Sequence, residues 1–348
     1  LKQAQGKTRR TKVWRVFLWL TDFSHESGGS VKAAVHERFG GPDVLEVRDI
    51  SQPVPGPGEV LVRVHAAAIN PKDALVRGGK FRRMSGSDFP KLTGLDYAGS
   101  IAALGPGVSG FAVGEAVFGM LNGWNGGTCA EYVLAKVGEF AAKPARLDFA
   151  EAAAIPLAAL TALQALRDLG RIGPGSRVCI HGASGGVGLF AVQLAKALGG
   201  HVTALCGAAA AGLVRSLGAD EVLDYKTQPP AALTQRFDCF FDVFGNQSFA
   251  GMRRCLAPRG MYISTVPSRR NLIDHLRTRF WPGRRARLVV VKSKRADLET
   301  LARWTGEGKL RGVIAARFPL TEIRRAHEQI QTKRTHGKII IDIAEQTA

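Results

Sequence analysis

The stretch "RVCIHGASGGVGLFAVQLAKALG", residues 177–199, decides the fold. An apolar run ends at His181 in a cluster of small residues, and from Val187 to Leu198 apolar residues recur at helical spacing. Gly182, Gly185 and Gly188 repeat every third position between the two. Glycine lets a backbone turn sharply and lets a ligand approach without meeting a Cβ. The first N–H groups of a helix have no intrahelical acceptor, and the positive end of the helix dipole lies behind them. A strand, a glycine turn and a helix start together make a seat for a pyrophosphate. The residues assigned to that seat are Gly182, Ala183, Ser184, Gly185, Gly186, Val187 and Gly188. A tight turn packed with small residues for space is the plainer reading. The setting decides between them, because this turn opens a β–α–β series.

That series runs on downstream. "HVTALC" (201–206), "EVLDY" (221–225), "FDCFFDVFG" (237–245) and "GMYISTV" (260–266) read as strands, with helical segments at "GLVRSLG" (212–218) and around Phe249 to Leu256. Alternation of this kind predicts a doubly wound parallel sheet of the Rossmann type. Before it, "DFAEAAAIPLAALTALQALRDLG" (148–170) reads as one helix, with Asp148 at its start and Gly170 at its end. From Val31 to Leu147 short alternating strands are broken by Gly and Pro, as in "QPVPGPGE" (52–59), which predicts a partly closed antiparallel barrel. After Val291 two helical stretches alternate with "GVIAARFPL" (312–320) and "GKIIIDI" (337–343). The expected organisation is an extension at 1–30, a catalytic domain at 31–150, a dinucleotide-binding domain at 151–290 and a return to the catalytic domain at 291–348. The extension reads as disordered and basic, since "KTRRTKVWRVFLWL" (7–20) fits a signal peptide poorly and "SHESGGS" (24–30) reads as a linker.

Composition bounds the function. The chain of 348 residues is long enough for two cores, and its 45% hydrophobic and 22% charged residues are those of a globular protein. The five cysteines, Cys129, Cys179, Cys206, Cys239 and Cys255, form no Cys-x-x-Cys pair. Neither a disulfide framework nor a four-cysteine zinc lobe follows, and a cytoplasmic setting is expected. The net charge is +19, with cations concentrated at the start and between Arg269 and Arg295. Such a field favours an anionic partner. Phe280 and Trp281 lie inside the second cluster, so nucleic acid or an anionic membrane is a candidate there, although a solvated basic face is the simpler reading.

The second strand of a dinucleotide fold reads the adenosine ribose, and an acid at its end favours NAD. Here that strand ends at Cys206 and runs into Gly207 and "AAAAG" (208–212), with no carboxylate. Room is left for a 2′-phosphate, which Arg215, Tyr225 or Lys226 can flank, and NADPH is the expected cofactor. The loops "DVFGN" and "STVP" follow later strands and supply Val243, Phe244 and Ser264 as further cofactor contacts.

Five stretches in order carry a family resemblance: "AAINPKDAL" (67–75), "TGLDYAGSIAALGPGVSGFAVGEAVFG" (93–119), "EAAAIPLAALTALQAL" (151–166), "HGASGGVGLFAVQLAKALG" (181–199) and "HVTALCGAAAAGLVRSLGADEVLDYKT" (201–227). Over about Val31 to Ile343 the chain resembles the zinc-free medium-chain dehydrogenases/reductases of the quinone oxidoreductase (zeta-crystallin-like) group. The resemblance implies a GroES-like catalytic domain, an inserted Rossmann-like domain, a cleft between them, NADPH and a homodimer. It implies hydride transfer to quinones or α,β-unsaturated carbonyls without a metal. A trans-2-enoyl thioester reductase is the alternative, and a nucleic-acid or membrane-surface binder on the same scaffold is a third reading. Relatives often carry an Arg after the second strand where this chain has Ala208, Ala209 and Ala210, a departure that bears on NADPH affinity. Zinc-dependent relatives place Cys, His and Cys where this chain has Asn70, Leu95 and Leu157, so no metal is expected.

The resemblance also places "INPKDAL" (69–75) at the cleft. Asn70 and Asp73 are the candidate catalytic residues: Asn70 offers an amide donor and acceptor for a carbonyl or the nicotinamide, Asp73 supports it, and Lys72 adds positive field. Turn and cap chemistry around Pro71 is the competing reading of that pair. Leu75 and Phe81 stand near positions where relatives have tyrosines, which points to a small apolar carbonyl or quinone substrate. Thr161, on the helix lining the cleft, is expected at the nicotinamide end, or else as a packing residue. Lys338, in "THGKIII", is expected to reach the cofactor phosphates, or else to be solvated. Tyr97 is expected to pack.

Overall fold

Six strands lie side by side in the order Glu221–Asp224, His201–Cys206, Arg177–His181, Phe237–Asp242, Leu256–Ser264 and Arg285–Leu288, in a computed structural model that describes residues 29–280 and 282–343. All five pairings are parallel. The earliest strand in sequence is central and the order reverses on either side of it. The switch point therefore falls between Arg177–His181 and Phe237–Asp242, where ligands of such sheets bind beyond the carboxyl ends. The central strands are apolar on both faces: Val178, Cys179 and Ile180, and Phe240 and Phe241, are all fully buried.

A second sheet runs in the order Ile314–Pro319, Lys338–Asp342, Glu59–Ile69, Asp96–Leu104, Ala116–Met120 and Phe140–Ala142. One edge of the long strand Glu59–Ile69 is shared. Its first half pairs with Tyr132–Lys136, while Ala66 to Ile69 pair with Lys338–Asp342. Two bulges against Asp96–Leu104 bend it between these partners. Within residues 31–147 every strand ladder is antiparallel, as expected, and the one parallel pairing of this sheet comes from the returning tail. Ile314–Pro319 and Lys338–Asp342 run parallel, because the helix Ile323–Gln331 crosses between them. A small third sheet contains Glu46–Ser51, Ser30–His36 and Lys91–Leu92. Ser30 is already in a strand; the expectations for residues 1–28 and for Trp281 fall outside the described residues.

The stretch 148–170 is not one helix. It forms Phe149–Ala153, then Pro156–Leu163, then a wider π turn over Gln164–Leu169. Pro156 has no N–H to donate and its ring excludes the carbonyl four residues back, so a new helix must start there. Asp148 does cap the first piece: its Oδ1 accepts from Glu151 N at 2.6 Å, and Glu151 Oε2 accepts from Asp148 N at 3.0 Å. The helix Pro156–Leu163 lies between the two sheets, in one core that joins Ala68, Leu95 and Phe118 to Leu160, Leu189 and Phe190. That shared core fixes the seam on which the candidate site is built.

Candidate functional site

The glycine turn is closed by sterics. A Cβ on Gly188 would stand 2.1 Å from the Gly182 carbonyl oxygen, and Gly182 has φ +82°, so both positions require glycine. Gly185 differs: its φ is −79° and the nearest atom to a built Cβ is 3.6 Å away. The fold alone does not demand glycine at 185, but the close approach of a ligand would. The helix Gly186–Ala197 makes its first internal bond from Leu189 N to Gly185 O at 2.9 Å. The N–H groups of Gly186, Val187 and Gly188 precede it and have no acceptor within the helix. Ala183 is fully buried and its N–H donates to Leu205 O at 3.1 Å, which ties the turn to the neighbouring strand. Ser184 is half-buried on the same turn. This cradle fits a pyrophosphate.

Across the seam, four residues from distant parts of the chain converge. Asp96 is fully buried, and its Oδ1 accepts from Leu157 N at 2.7 Å. Its Oδ2 accepts from Asn70 Nδ2 at 3.0 Å and from Lys338 Nζ at 3.0 Å. Lys338 Nζ also donates to Asn70 Oδ1 at 2.5 Å. The Asn70 amide is thus held at both ends. Lys338 does not lie along the phosphate seat with a free ammonium, and it is not solvated. Its Cδ stands 3.1 Å from where a Cβ on Gly186 would be, and its ammonium continues past the turn to Asn70 and Asp96. One side chain therefore crosses from the cradle to the GroES-like sheet's side of the seam. Sequence reasoning missed Asp96; the available signal was a lone acid in the apolar stretch "GLDYAG", next to Leu95.

Asp73 takes the capping role. Its Oδ2 accepts from Asn70 N at 2.8 Å, at the start of the helix Pro71–Arg77. Burial pushes its carboxyl up to about 7; the Asn70 N–H, Lys338 and Lys72 oppose the shift, and the Asp96 charge adds to it. Burial also lowers the pKa of Lys72, whose ammonium donates to Gly123 O at 2.6 Å and lies 4.8 Å from the Trp124 ring centre. Phe81 packs on Trp124 with ring centres 4.7 Å apart, so the surroundings of "INPKDAL" are aromatic. Tyr97 is fully buried, in keeping with packing.

The other cofactor candidates divide. Thr161 is buried and donates from Oγ1 to Leu157 O at 2.7 Å, which is helix packing. Ser264 is fully buried, and its Oγ accepts from Val266 N at 3.2 Å and Asn271 Nδ2 at 3.1 Å, which ties its loop to the residues that follow. Cys206 is buried at the end of its strand, and desolvation raises its thiol pKa. Tyr225 is exposed, with its ring 3.7 Å from a Cβ built on Gly207. Val243 and Phe244 follow the strand across the switch point. Phe244 is exposed and lies against Gly182, and Asp242 holds the loop by accepting from Gly245 N, Gln247 N and Tyr262 Oη. His181, not singled out from sequence, ends the first strand; its Nε2 pairs with Asn246 Oδ1 at 2.8 Å and its buried Nδ1 has no partner.

Residues 56–145 match the family "Alcohol dehydrogenase GroES-like domain", and residues 217–341 match "Zinc-binding dehydrogenase". A chloroplastic quinone-oxidoreductase homolog from Spinacia oleracea is 35% identical over 313 residues, covering 87% of this chain and 95% of that protein. The mitochondrial NAD(P)H oxidoreductase RTN4IP1 of Homo sapiens is 31% identical over 355 residues, with 89% of each covered. The solved quinone oxidoreductase of Coxiella burnetii superposes with a TM-score of 0.84 at 30% identity, covering 91% of this chain and all of that one. Zinc does not fit the residues present. Of the positions matched to zinc ligands, Leu95 and Leu157 have no donor side chain, and the Asn70 oxygen already receives an ammonium. Among the described residues no three His, Cys, Asp or Glu side chains are grouped as a metal site. A glycine cradle at the switch point, a seam shared with a GroES-like sheet and these likenesses converge: the chain belongs to the medium-chain dehydrogenase/reductase family of nicotinamide-dependent oxidoreductases.

Proposed function

We propose that this protein reduces quinones or α,β-unsaturated carbonyl compounds with NADPH and without a metal. The observation that carries the reading is the bridge made by Lys338, which spans from the pyrophosphate cradle at Gly186 to Asn70 and Asp96 on the catalytic side. Gly182 through Gly188 would hold the cofactor diphosphate, with the N–H groups of Gly186, Val187 and Gly188 facing it. The nicotinamide, when bound, supplies a hydride to the electrophilic carbon of a conjugated acceptor, and the electron pair passes to the acceptor's oxygen. The chain's own contribution is positioning and field. Asp96 fixes the Asn70 amide, and the ammonium of Lys338 offsets the buried carboxylate that would otherwise oppose negative charge on the substrate oxygen. A quinone or enone needs no stronger acid, since its oxygen can take a proton from water. Phe81 and Trp124 favour a flat apolar acceptor.

NADPH is favoured over NADH because Gly207 and Ala208 to Ala210, which follow the second strand, carry no acid, and Arg215 and Lys226 are exposed nearby. The test is oxidation of NADPH and of NADH by the purified chain against quinones, enones and enoyl thioesters. Faster turnover of NADPH with a quinone or enone is expected. Equal turnover with NADH removes the cofactor assignment, a clear preference for enoyl thioesters replaces the substrate class, and no affinity for either nucleotide overturns the whole reading.

A further inference from the structure

The helix Arg269–Arg277 is mounted with its apolar side outward. Its inner side is polar. Asn271 is buried and donates from Nδ2 to Ser264 Oγ at 3.1 Å and Val266 O at 2.9 Å. His275 Nδ1 accepts from Leu288 N at 3.2 Å, and Thr278 Oγ1, just past the helix, accepts from Ala286 N at 2.9 Å. On the opposite side Leu272, Ile273 and Leu276 are 51%, 51% and 56% exposed, and Phe280 is 89% exposed. At about 100° per residue, positions 272, 273 and 276 fall within one arc roughly 100° wide, with Arg269 inside it and Arg270 and Arg277 along one border. An amphipathic helix on a globular protein normally turns its apolar stripe to the core. Here the stripe has no core to meet.

The charges around the stripe select what covers it. Arg269, Arg270, Arg277 and Arg279 are exposed, and none of them joins a salt bridge among the described residues. Between Arg269 and Arg287 the only acid is Asp274. A second copy meeting this face about a two-fold axis would lay arginine against arginine. A polynucleotide would use the arginines and could stack a base on Phe280, but it leaves the larger aliphatic part of the stripe, Leu272, Ile273 and Leu276, uncovered. An anionic bilayer satisfies both features, with aliphatic groups at the acyl boundary and guanidinium groups at the headgroups.

We propose that the Arg269–Arg277 helix docks the protein on an anionic lipid surface. The helix follows directly on the loop after Ser264, at the carboxyl end of the parallel sheet where the cofactor cradle lies. A docked molecule would therefore hold the ligand-binding end of that sheet close to the bilayer, where lipophilic quinones dissolve; this consequence rests on the proposed function, whereas the docking does not.

The test uses the full chain and vesicles of phosphatidylcholine with and without phosphatidylglycerol, read by co-sedimentation. Binding to the anionic vesicles only, weakened by salt, is expected. The variants L272S/I273S/L276S and R269Q/R270Q/R277Q should each weaken it by about tenfold or more. Their thermal midpoints should stay near that of the parent, because the substituted groups are exposed. Absence of vesicle binding overturns the proposal. So does binding that both variants leave intact, which would place it on other basic residues, and so does a dimer that the serine variant dissolves. Polynucleotide binding lost only in the glutamine variant, with no vesicle binding, overturns it as well. Turnover of a water-soluble quinone should be equal in parent and serine variant, while turnover of a vesicle-dissolved quinone should fall in the variant. If the parent turns over neither quinone but binds vesicles, the reaction fails and the docking stands.

Discussion

Removing the ammonium of Lys338 should destabilise the protein far more than an ordinary lysine substitution. The Lys338 and Asp96 side chains are 4% and 0% exposed, and the pair is 3.0 Å apart. In Lys338→Met the Asp96 carboxylate keeps only the Leu157 and Asn70 donors, and its remaining nearby positive charge is Lys72, whose ammonium donates to Gly123 O instead. Breaking a buried pair from one side costs about 3–5 kcal/mol, against ~0–1 kcal/mol for an exposed one. The loss is read as a shift in the urea midpoint. Adding Asp96→Asn separates the charge from the packing. An Asn at 96 can still accept from Leu157 N with Oδ1, and its Nδ2 can donate to an Asn70 amide turned end for end, since Lys338 no longer needs that oxygen. Lys338→Met/Asp96→Asn should therefore be more stable than the two single losses predict, by roughly 1–3 kcal/mol. A Lys338→Met midpoint within about 1 kcal/mol of the parent would refute the reasoning, and so would strict additivity of the pair.

The glycine turn makes a two-sided prediction. Gly185→Ala should keep or slightly raise stability, by up to about 1 kcal/mol, yet weaken dinucleotide binding by roughly tenfold to a hundredfold. Gly188→Ala should cost about 1–3 kcal/mol or more of stability as well, because its Cβ meets the Gly182 carbonyl at 2.1 Å; calorimetric titration with NADPH and thermal melts separate the two effects. Asp73 predicts a pH slope: its carboxyl is raised to about 7 from the ordinary 3.8, so the native state favours the protonated form. Its contribution is full below about pH 4 and declines as pH rises through 7, by on the order of 4 kcal/mol. Asp73→Asn, which keeps an acceptor for Asn70 N, should flatten that part of the stability-versus-pH curve, and an unchanged slope would rule the assignment out. Arg215→Ala/Lys226→Ala should weaken NADPH by roughly tenfold and leave NADH unaffected, in line with the loss of a charge-assisted phosphate contact; equal losses for both nucleotides would place the 2′-phosphate elsewhere.

What the sequence discloses follows the range of the forces involved. The cradle was legible because every requirement in it is local: the positive φ at Gly182 and the clash at Gly188 arise from residues within one turn. The capping pair Asn70 and Asp73 was legible for the same reason, since its bond spans three residues. The single helix over 148–170 was misread because apolar spacing outweighed one proline, although the missing N–H of Pro156 is also a local fact. Asp96 and Lys338 belong to another class. They stand 242 residues apart, and nothing in "GLDYAG" or "THGKIII" says that the two meet. Their meeting depends on Lys338–Asp342 pairing beside the end of Glu59–Ile69, a register set by a sheet whose edge is divided between two partners. The outward helix lies between these cases. Its amphipathic pattern is written in "RRNLIDHLRTRF" (269–280), but pattern fixes only that two sides differ. Which side faces the body was settled by Asn271, whose amide finds Ser264 and Val266 only after the parallel sheet has formed. Ser264 then has a role that no reading of its loop could assign: through Asn271 it anchors this helix.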